Sequence, residues 1–211
     1  MNRLFDPQNL LFQALSWMVD LVGISLFWAI LCLPVVTIVP ATAALYHTAA
    51  LCLRQGEKGA FLRFFRSFWQ NLKQGCLLSV PLVILGALLF WGQNVMAAAS
   101  VLLGGAATAL YGVYSVALVL PLGAVCWMVP LLGRFDFKSG ELVRTAFVLT
   151  VGHLPTTVLV IALVCGTAFL CLLALPGVLL LPSVAAILAS LLQERVFRKY
   201  LPEDYQDPLF F

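Results

Sequence analysis

The sequence predicts an all-α integral membrane protein, a bundle of about six transmembrane helices arranged as three hairpins. Its 211 residues are 63% hydrophobic and only 10% charged, whereas soluble domains carry about 25% charged residues. The apolar residues are collected in long runs that can cross a bilayer core of about 30 Å as helices. The polar residues fall in the short segments between these runs. We therefore expect one membrane domain over residues 1–211, with no separate soluble domain.

The first hairpin is predicted from the N-terminal apolar run and the prolines that follow it. A first span covers residues 10–33 and ends at Pro34. The segment 35–39, between Pro34 and Pro40, is β-branched, which disfavours helix and predicts a turn. The second span covers residues 41–54 and returns to a polar segment.

Residues 59–74 are predicted to form an interfacial helix, because their aromatic and basic residues fall on opposite helical faces. Such a helix is typical of the headgroup plane of a membrane. The alternative is a cytoplasmic helix that packs on the protein through its aromatic face. The apolar face contains Phe61, Phe65, Phe68 and Leu72, and the polar face contains Arg63, Arg66, Gln70 and Lys73.

The second and third hairpins are also predicted from apolar runs in the sequence. The third and fourth spans are predicted at 76–95 and 106–132, joined by an uncharged stretch. A second interfacial candidate covers 139–153. The fifth and sixth spans are predicted at 155–175 and 178–195.

The basic residues predict the topology. With six passes, all 12 Lys and Arg residues fall on one side, and such residues concentrate on the cytoplasmic side of membrane proteins. Both termini are therefore expected in the cytoplasm, in a multi-pass protein of the cytoplasmic membrane. The net charge of +3 is too small and too scattered to predict nucleic-acid binding.

The returning arms of the three hairpins share a pattern that predicts a possible three-fold internal repeat. Each begins with a proline, has an alanine three residues later and reaches an arginine after 13 or 14 residues. Internal repeats are common in transporters, although proline, alanine and a terminal arginine are also ordinary features of membrane helices. The pairs are Pro40 with Arg54, Pro121 with Arg134, and Pro182 with Arg195.

Four polar residues are candidates for a pore or partner site. Asp20 lies inside an apolar run, where an ionisable residue is a functional candidate; the alternative is that it pairs with Arg63 or Arg66 near the headgroups. Asn71, His153 and His47 complete the set. The residues expected to contact headgroups or a partner are Arg54, Lys58, Arg63, Arg66 and Lys73.

The sequence contains no nucleotide-binding, zinc-protease or nucleophile motif. We therefore expect no catalytic residue, no metal site and no cofactor, and interpret the protein as a non-enzyme.

Several segments of the chain resemble the YesL-like family of uncharacterised bacterial integral membrane proteins. They include Leu33-Pro-Val-Val-Thr37, Pro40-Ala-Thr-Ala-Ala-Leu-Tyr46, Phe64-Phe-Arg-Ser-Phe68 and Val129-Pro-Leu-Leu-Gly-Arg-Phe135. The chain departs from the family at Ser25, usually Asn, and at Val39, usually Gly. Family members tend to be encoded beside carbohydrate-uptake ABC transporter components, and no activity is assigned to them.

The resemblance implies a non-catalytic membrane accessory or scaffold protein, associated with a carbohydrate-uptake ABC transporter system. The alternative is a small stand-alone transporter or channel with a polar site near its cytoplasmic mouth. The expected partners are the lipid bilayer and either ABC permease subunits or further copies of this chain.

Overall fold

A computed structural model describes residues 10–54, 59–135 and 137–200. All regular secondary structure in these residues is helical, so the predicted all-helical class is confirmed. Short 3₁₀ turns cover Val35–Thr37 and Leu175–Leu179, and a π-helical turn covers Ala49–Leu53. The α-helices are α1 Leu10–Leu31, α2 Ile38–Thr48, α3 Ala60–Leu103, α4 Gly105–Ala117, α5 Val119–Arg134, α6 Ser139–Gly152, α7 Leu154–Leu173 and α8 Leu181–Phe197.

Several of the helices are long and apolar, which suggests a membrane protein. By length and composition, four helical stretches in the described ranges could cross a membrane. They are Val35–Leu53, Ala60–Leu103, Gly105–Arg134 and Leu154–Leu173. The apolar part of α1, Leu15–Leu31, is shorter, and α8 has 17 residues.

The turn of the first hairpin is more helical than the sequence predicts. The segment 35–39 was expected to avoid helix, but Val35–Thr37 is a 3₁₀ turn and α2 begins at Ile38. Pro40 lies in the first turn of α2, where a backbone N–H has no partner within the helix and proline is tolerated. The β-branched residues therefore lower helix propensity here without preventing the helix.

The predicted interfacial helix 59–74 and third span 76–95 are parts of one helix, α3, which has 44 residues. At residue 75 the sequence changes from amphipathic to apolar, but the helix continues through this position. Phe64 and Phe68 are buried in the protein, so the aromatic face of the first four turns packs on the bundle. Pro81 lies inside α3 without ending it.

The other helices lie close to their predicted ranges. The predicted span 106–132 is divided at Leu118 into α4 and α5. The second interfacial candidate, 139–153, corresponds to α6, which packs on α5. The fifth span corresponds to α7, and α8 begins at Leu181, three residues after the predicted start of the sixth span.

The three hairpins pack in cyclic order. The first consists of α1 and α2, the second of α3 with α4 and α5, and the third of α7 and α8. Each outgoing helix packs on the returning arm of the preceding hairpin: α3 on α2, α7 on α5, and α1 on α8. The returning arms α2, α5 and α8 therefore lie in the centre. The rings of Trp127 on α5 and Phe197 on α8 meet there, with centroids 5.6 Å apart.

The contacts between neighbouring hairpins recur at similar positions near the start of each returning arm. A Cβ atom on Gly75 of α3 would lie 2.8 Å from Pro40, and one on Gly123 of α5 would lie 2.4 Å from Thr157 of α7. On the third side, the hydroxyls of Ser25 and Ser183 are 2.7 Å apart. Small residues thus bring each pair of neighbouring helices into close contact.

Candidate functional site

A buried ion pair joins the first and third hairpins. Nη2 of Arg54, just after the π-helical turn, lies 2.5 Å from Oε2 of Glu194 on α8. The Glu194 side chain is 4% exposed and that of Arg54 is 19% exposed. Arg54 also donates through Nη1 to the Ser190 hydroxyl, at 3.4 Å. The guanidinium therefore binds two positions one helical turn apart on α8.

Further polar groups surround this pair. Tyr46 of α2 is buried, and its hydroxyl lies within electrostatic range of Glu194, Arg134 and Arg54. The Arg134 guanidinium lies 5.4 Å from the ring centroid of Phe197, within cation–π range. These polar groups of the three returning arms, of which Tyr46 and Glu194 are buried and Arg54 and Arg134 are partly buried, form one cluster. We call it the central cluster and define it as Tyr46, Arg54, Arg134 and Glu194.

A second interaction holds α5 against α8. The side-chain amide of Gln193, which is 1% exposed, donates to the carbonyl oxygen of Cys126 at 2.9 Å. A buried donor without an acceptor costs about 1–3 kcal/mol, so this hydrogen bond favours one register between the two helices.

A cleft of about 400 Å³ lies between α2 and the start of α3. Its polar lining combines two arginines, a histidine, a hydroxyl and an amide. We call it the basic cleft. It is lined by His47, Gly59, Leu62, Arg63, Arg66, Ser67 and Gln70.

A second, more open cavity of about 540 Å³ lies where α3 meets the start of α6. Lys73 and Lys138 line it, and Gln74 donates to the carbonyl oxygen of Phe137 at 2.7 Å on its wall. Basic residues therefore line both cavities.

The four polar candidates predicted from the sequence have different immediate surroundings. Asn71 donates to the carbonyl oxygen of Ser67 on its own helix, at 2.9 Å. His153 lies between α6 and α7, and its Nε2 is 2.9 Å from the Tyr200 hydroxyl. His47 lines the basic cleft. Asp20 is partly exposed on α1, and no ion pair joins it to Arg63 or Arg66 in the described part of the chain.

The five predicted headgroup or partner residues fall into different surroundings. Arg54 forms an ion pair with Glu194, and its side chain is 19% exposed. Arg63 and Arg66 line the basic cleft, and Lys73 lines the second cavity. Lys58 lies outside the described residues.

The sequence reasoning missed three members of the central cluster: Tyr46, Arg134 and Glu194. A signal for them existed. Arg54 and Arg134 end two of the repeated arms, and the third arm carries Glu194 just before its arginine. An acid beside the third of three equivalent arginines predicts an ion pair if the arms meet at their ends.

The arrangement indicates structural and binding chemistry. Within residues 10–54, 59–135 and 137–200, no three His, Cys, Asp or Glu side chains are grouped as metal ligands. The guanidinium, imidazole, hydroxyl and amide groups of the basic cleft can all donate hydrogen bonds. Such a set suits a bound anion.

The comparison with protein families gives one match, to a family described as "Protein of unknown function, DUF624", over residues 21–93. This segment is about a third of the chain. It contains most of the first hairpin, the basic cleft and two members of the central cluster. No curated protein and no solved structure matches the chain.

Proposed function

We propose that the chain is an integral protein of the bacterial cytoplasmic membrane that crosses it six times. The support is the apolar surface of the bundle. Large apolar side chains are exposed along α1, α3, α4 and α7, with Val101 and Leu172 each 85% exposed. A soluble monomer rarely exposes contiguous apolar patches larger than a few hundred Å², whereas lipid covers such a surface.

In the proposed orientation, both termini lie in the cytoplasm and the three hairpin turns face outward. The contacts at the basic end support this orientation. Arg54 at the end of the first hairpin meets Glu194 near the end of the third, and Gln74 of the second meets the loop before α6. The inter-hairpin contacts also support our proposal that the hairpins are three copies of one repeat.

We further propose that the protein is a non-catalytic accessory or scaffold subunit of a carbohydrate-uptake ABC transporter system. One observation carries the scaffold role: α4 packs against α3 and α5, yet none of its residues is buried. The arm formed by α4 and α5 has 30 residues, or about 45 Å at 1.5 Å per residue. The first returning arm, Val35–Leu53, has 19 residues. The second hairpin therefore presents an apolar helical surface with room for a partner helix.

Small residues on α4 suit helix docking. Gly105, Ala109 and Gly112 are exposed, and a Cβ atom at either glycine would meet no other atom within 4 Å. Small side chains allow close approach between membrane helices. By contrast, the small residues of α8, Ala186, Ala189 and Ser190, are buried and belong to the packing of the bundle itself. The YesL-like resemblance supports carbohydrate-transporter permease subunits as the partner.

The test is capture of the tagged protein from its native membrane in mild detergent, with co-purified proteins identified by mass spectrometry. We expect permease subunits in stoichiometric amounts. Ala109→Leu with Gly112→Leu should abolish capture, while Gly166→Leu, at an equally open site on α7, should leave it intact. A wild-type sample without transporter subunits would contradict the proposal.

The second candidate is a small stand-alone transporter or channel. The basic cleft favours it, because a cleft at the cytoplasmic end could receive a solute. Solute flux in proteoliposomes containing only this protein would support this alternative, and its absence alongside stoichiometric capture would support the accessory role.

A further inference from the structure

The basic cleft is lined by side chains that can donate hydrogen bonds to an anion. Arg63 and Arg66 are three residues apart on α3 and therefore neighbours on one helical face. Both line the cleft together with the hydroxyl of Ser67 and the amide of Gln70. His47 lines the cleft from α2.

The helix that carries the arginines is held firmly in place. Phe64 is 0% exposed and Phe68 is 5% exposed, and Ser67 between them is also buried. The Phe65 ring packs edge to face on Phe27 of α1, with centroids 5.1 Å apart. This packing fixes the start of α3, so binding at the cleft need not order the backbone that supplies the donors. A preorganised site loses less affinity to ordering.

We propose that the basic cleft binds a phosphate-bearing group through Arg63 and Arg66, with His47, Ser67 and Gln70 as further donors. Guanidinium groups match the geometry of phosphate oxygens and form charge-assisted hydrogen bonds with them. The volume of about 400 Å³ falls within the range of small-molecule sites and exceeds the size of inorganic phosphate. This volume leaves room for an organic group attached to the phosphate.

Two sources supply this chemistry: the headgroup of an anionic phospholipid and a soluble phosphate monoester. The same residues would bind either one, since they recognise the phosphate. The site does not depend on the accessory role, because its residues lie on α2 and α3, away from the exposed face of α4.

The experiment measures two affinities of the purified full-length protein. Phosphatidylglycerol is titrated into phosphatidylcholine nanodiscs and its bound fraction is read by native mass spectrometry. Glycerol 3-phosphate is titrated in detergent and read by microscale thermophoresis. We expect the double variant Arg63→Gln and Arg66→Gln to bind the probe more weakly, with an affinity about tenfold lower for each arginine removed. Preferential loss of phosphatidylglycerol binding identifies a headgroup site, and loss of glycerol 3-phosphate binding identifies a soluble ligand.

The matched control is Arg144→Gln with Arg195→Gln, two exposed arginines outside the cleft. It removes the same charge and should leave the affinity unchanged. Equal weakening in the two double variants, or no binding of either probe by the wild type, overturns the proposal.

A second variant keeps the test decisive if the arginine changes impair folding. Gln70→Glu adds a carboxylate at the exposed edge of the cleft and should weaken binding, since it repels phosphate. Gly140→Glu adds the same charge at an exposed site on α6 where a Cβ atom meets no neighbour. Binding by Gln70→Glu equal to that of Gly140→Glu contradicts a phosphate site in this cleft.

Discussion

Arg54 and Glu194 form an ion pair across the centre of the bundle, although 140 positions separate them in the sequence. The pair joins the end of the first returning arm to the third. Because the Glu194 side chain is only 4% exposed, loss of Arg54 would leave its buried charge less well compensated. The pair therefore fixes how the first and third hairpins meet.

Removal of one partner of this pair should destabilise the protein. For Glu194→Ala we expect a loss of about 2–4 kcal/mol in the free energy of unfolding, because Arg54 keeps a largely desolvated charge. Arg54→Ala should have a similar effect, and the double variant should recover part of the loss. Unfolding in detergent, followed for the four members of a double-mutant cycle, measures the coupling.

The neighbouring Arg195 provides the control for this cycle, because it is exposed. Arg195→Ala should change the stability by no more than about 0.5 kcal/mol. Purely additive effects of Arg54→Ala and Glu194→Ala would show that the ion pair does not stabilise the bundle.

Alanine substitution should destabilise the protein at glycines that lie in helix contacts, but not at glycines whose added Cβ atom would meet no neighbour. A Cβ atom on Gly123 would lie 2.4 Å from Thr157 and 2.7 Å from Thr150, and one on Gly75 would lie 2.8 Å from Pro40. We expect Gly123→Ala and Gly75→Ala each to cost about 1–3 kcal/mol, because the helices must separate. Thermal unfolding in detergent measures the change.

Gly86 and Gly166 are matched controls, since each lies in a helix and a Cβ atom there would meet nothing within 4 Å. Alanine at these positions should be neutral or stabilising by up to about 1 kcal/mol through its higher helix propensity. If all four variants had the same stability, the close helix contacts would not be present in the protein.

The helical class and the positions of most helices could be predicted from the sequence, because long apolar runs of this kind are typical of membrane helices. The predicted boundary within 59–95 was wrong for a physical reason. The sequence at residue 75 changes from amphipathic to apolar, but nothing there opposes helix, so α3 continues through it. Side-chain polarity indicates what surrounds a helix. Where the helix ends depends on residues that disfavour the helical backbone conformation.

The central cluster could not be predicted, because it depends on which hairpin ends meet. The sequence places Arg54 and Glu194 at the ends of apolar helices, where both residues are ordinary. Their pairing follows from the cyclic packing of the hairpins, in which the first and third are neighbours.

The hydrogen bond between Trp127 and Thr157 should contribute to the contact between α5 and α7. The indole Nε1 of Trp127, which is 0% exposed, donates to the Thr157 hydroxyl at 2.9 Å. Thr157→Val keeps the shape but removes the acceptor, so we expect a loss of about 1–3 kcal/mol in the free energy of unfolding. Thermal unfolding and the tryptophan emission maximum provide two readouts.

Thr167→Val is the control on the same helix, because the Thr167 hydroxyl donates to the carbonyl oxygen of Leu163 within α7. This variant should be close to wild type in both measurements. A Thr157→Val protein as stable as Thr167→Val would mean that the indole finds another acceptor.

The proposed topology predicts opposite labelling at the two ends of the second hairpin. Ala106 is exposed just after the α3–α4 turn, and Gly140 is exposed at the start of α6. In spheroplasts, a membrane-impermeant maleimide should label Ala106→Cys directly, whereas Gly140→Cys should react only after permeabilisation. The background must lack the native cysteines Cys32, Cys52, Cys76, Cys126, Cys165 and Cys171.

The reason for this expectation is the distribution of basic residues, since Lys138 and Arg144 flank Gly140 and no charged residue lies between Lys73 and Arg134. Positively charged segments stay in the cytoplasm during insertion. The reverse labelling pattern would show that the topology is inverted, with the basic cleft outside the cell. Labelling of both positions in intact spheroplasts would mean that the second hairpin does not cross the membrane as proposed.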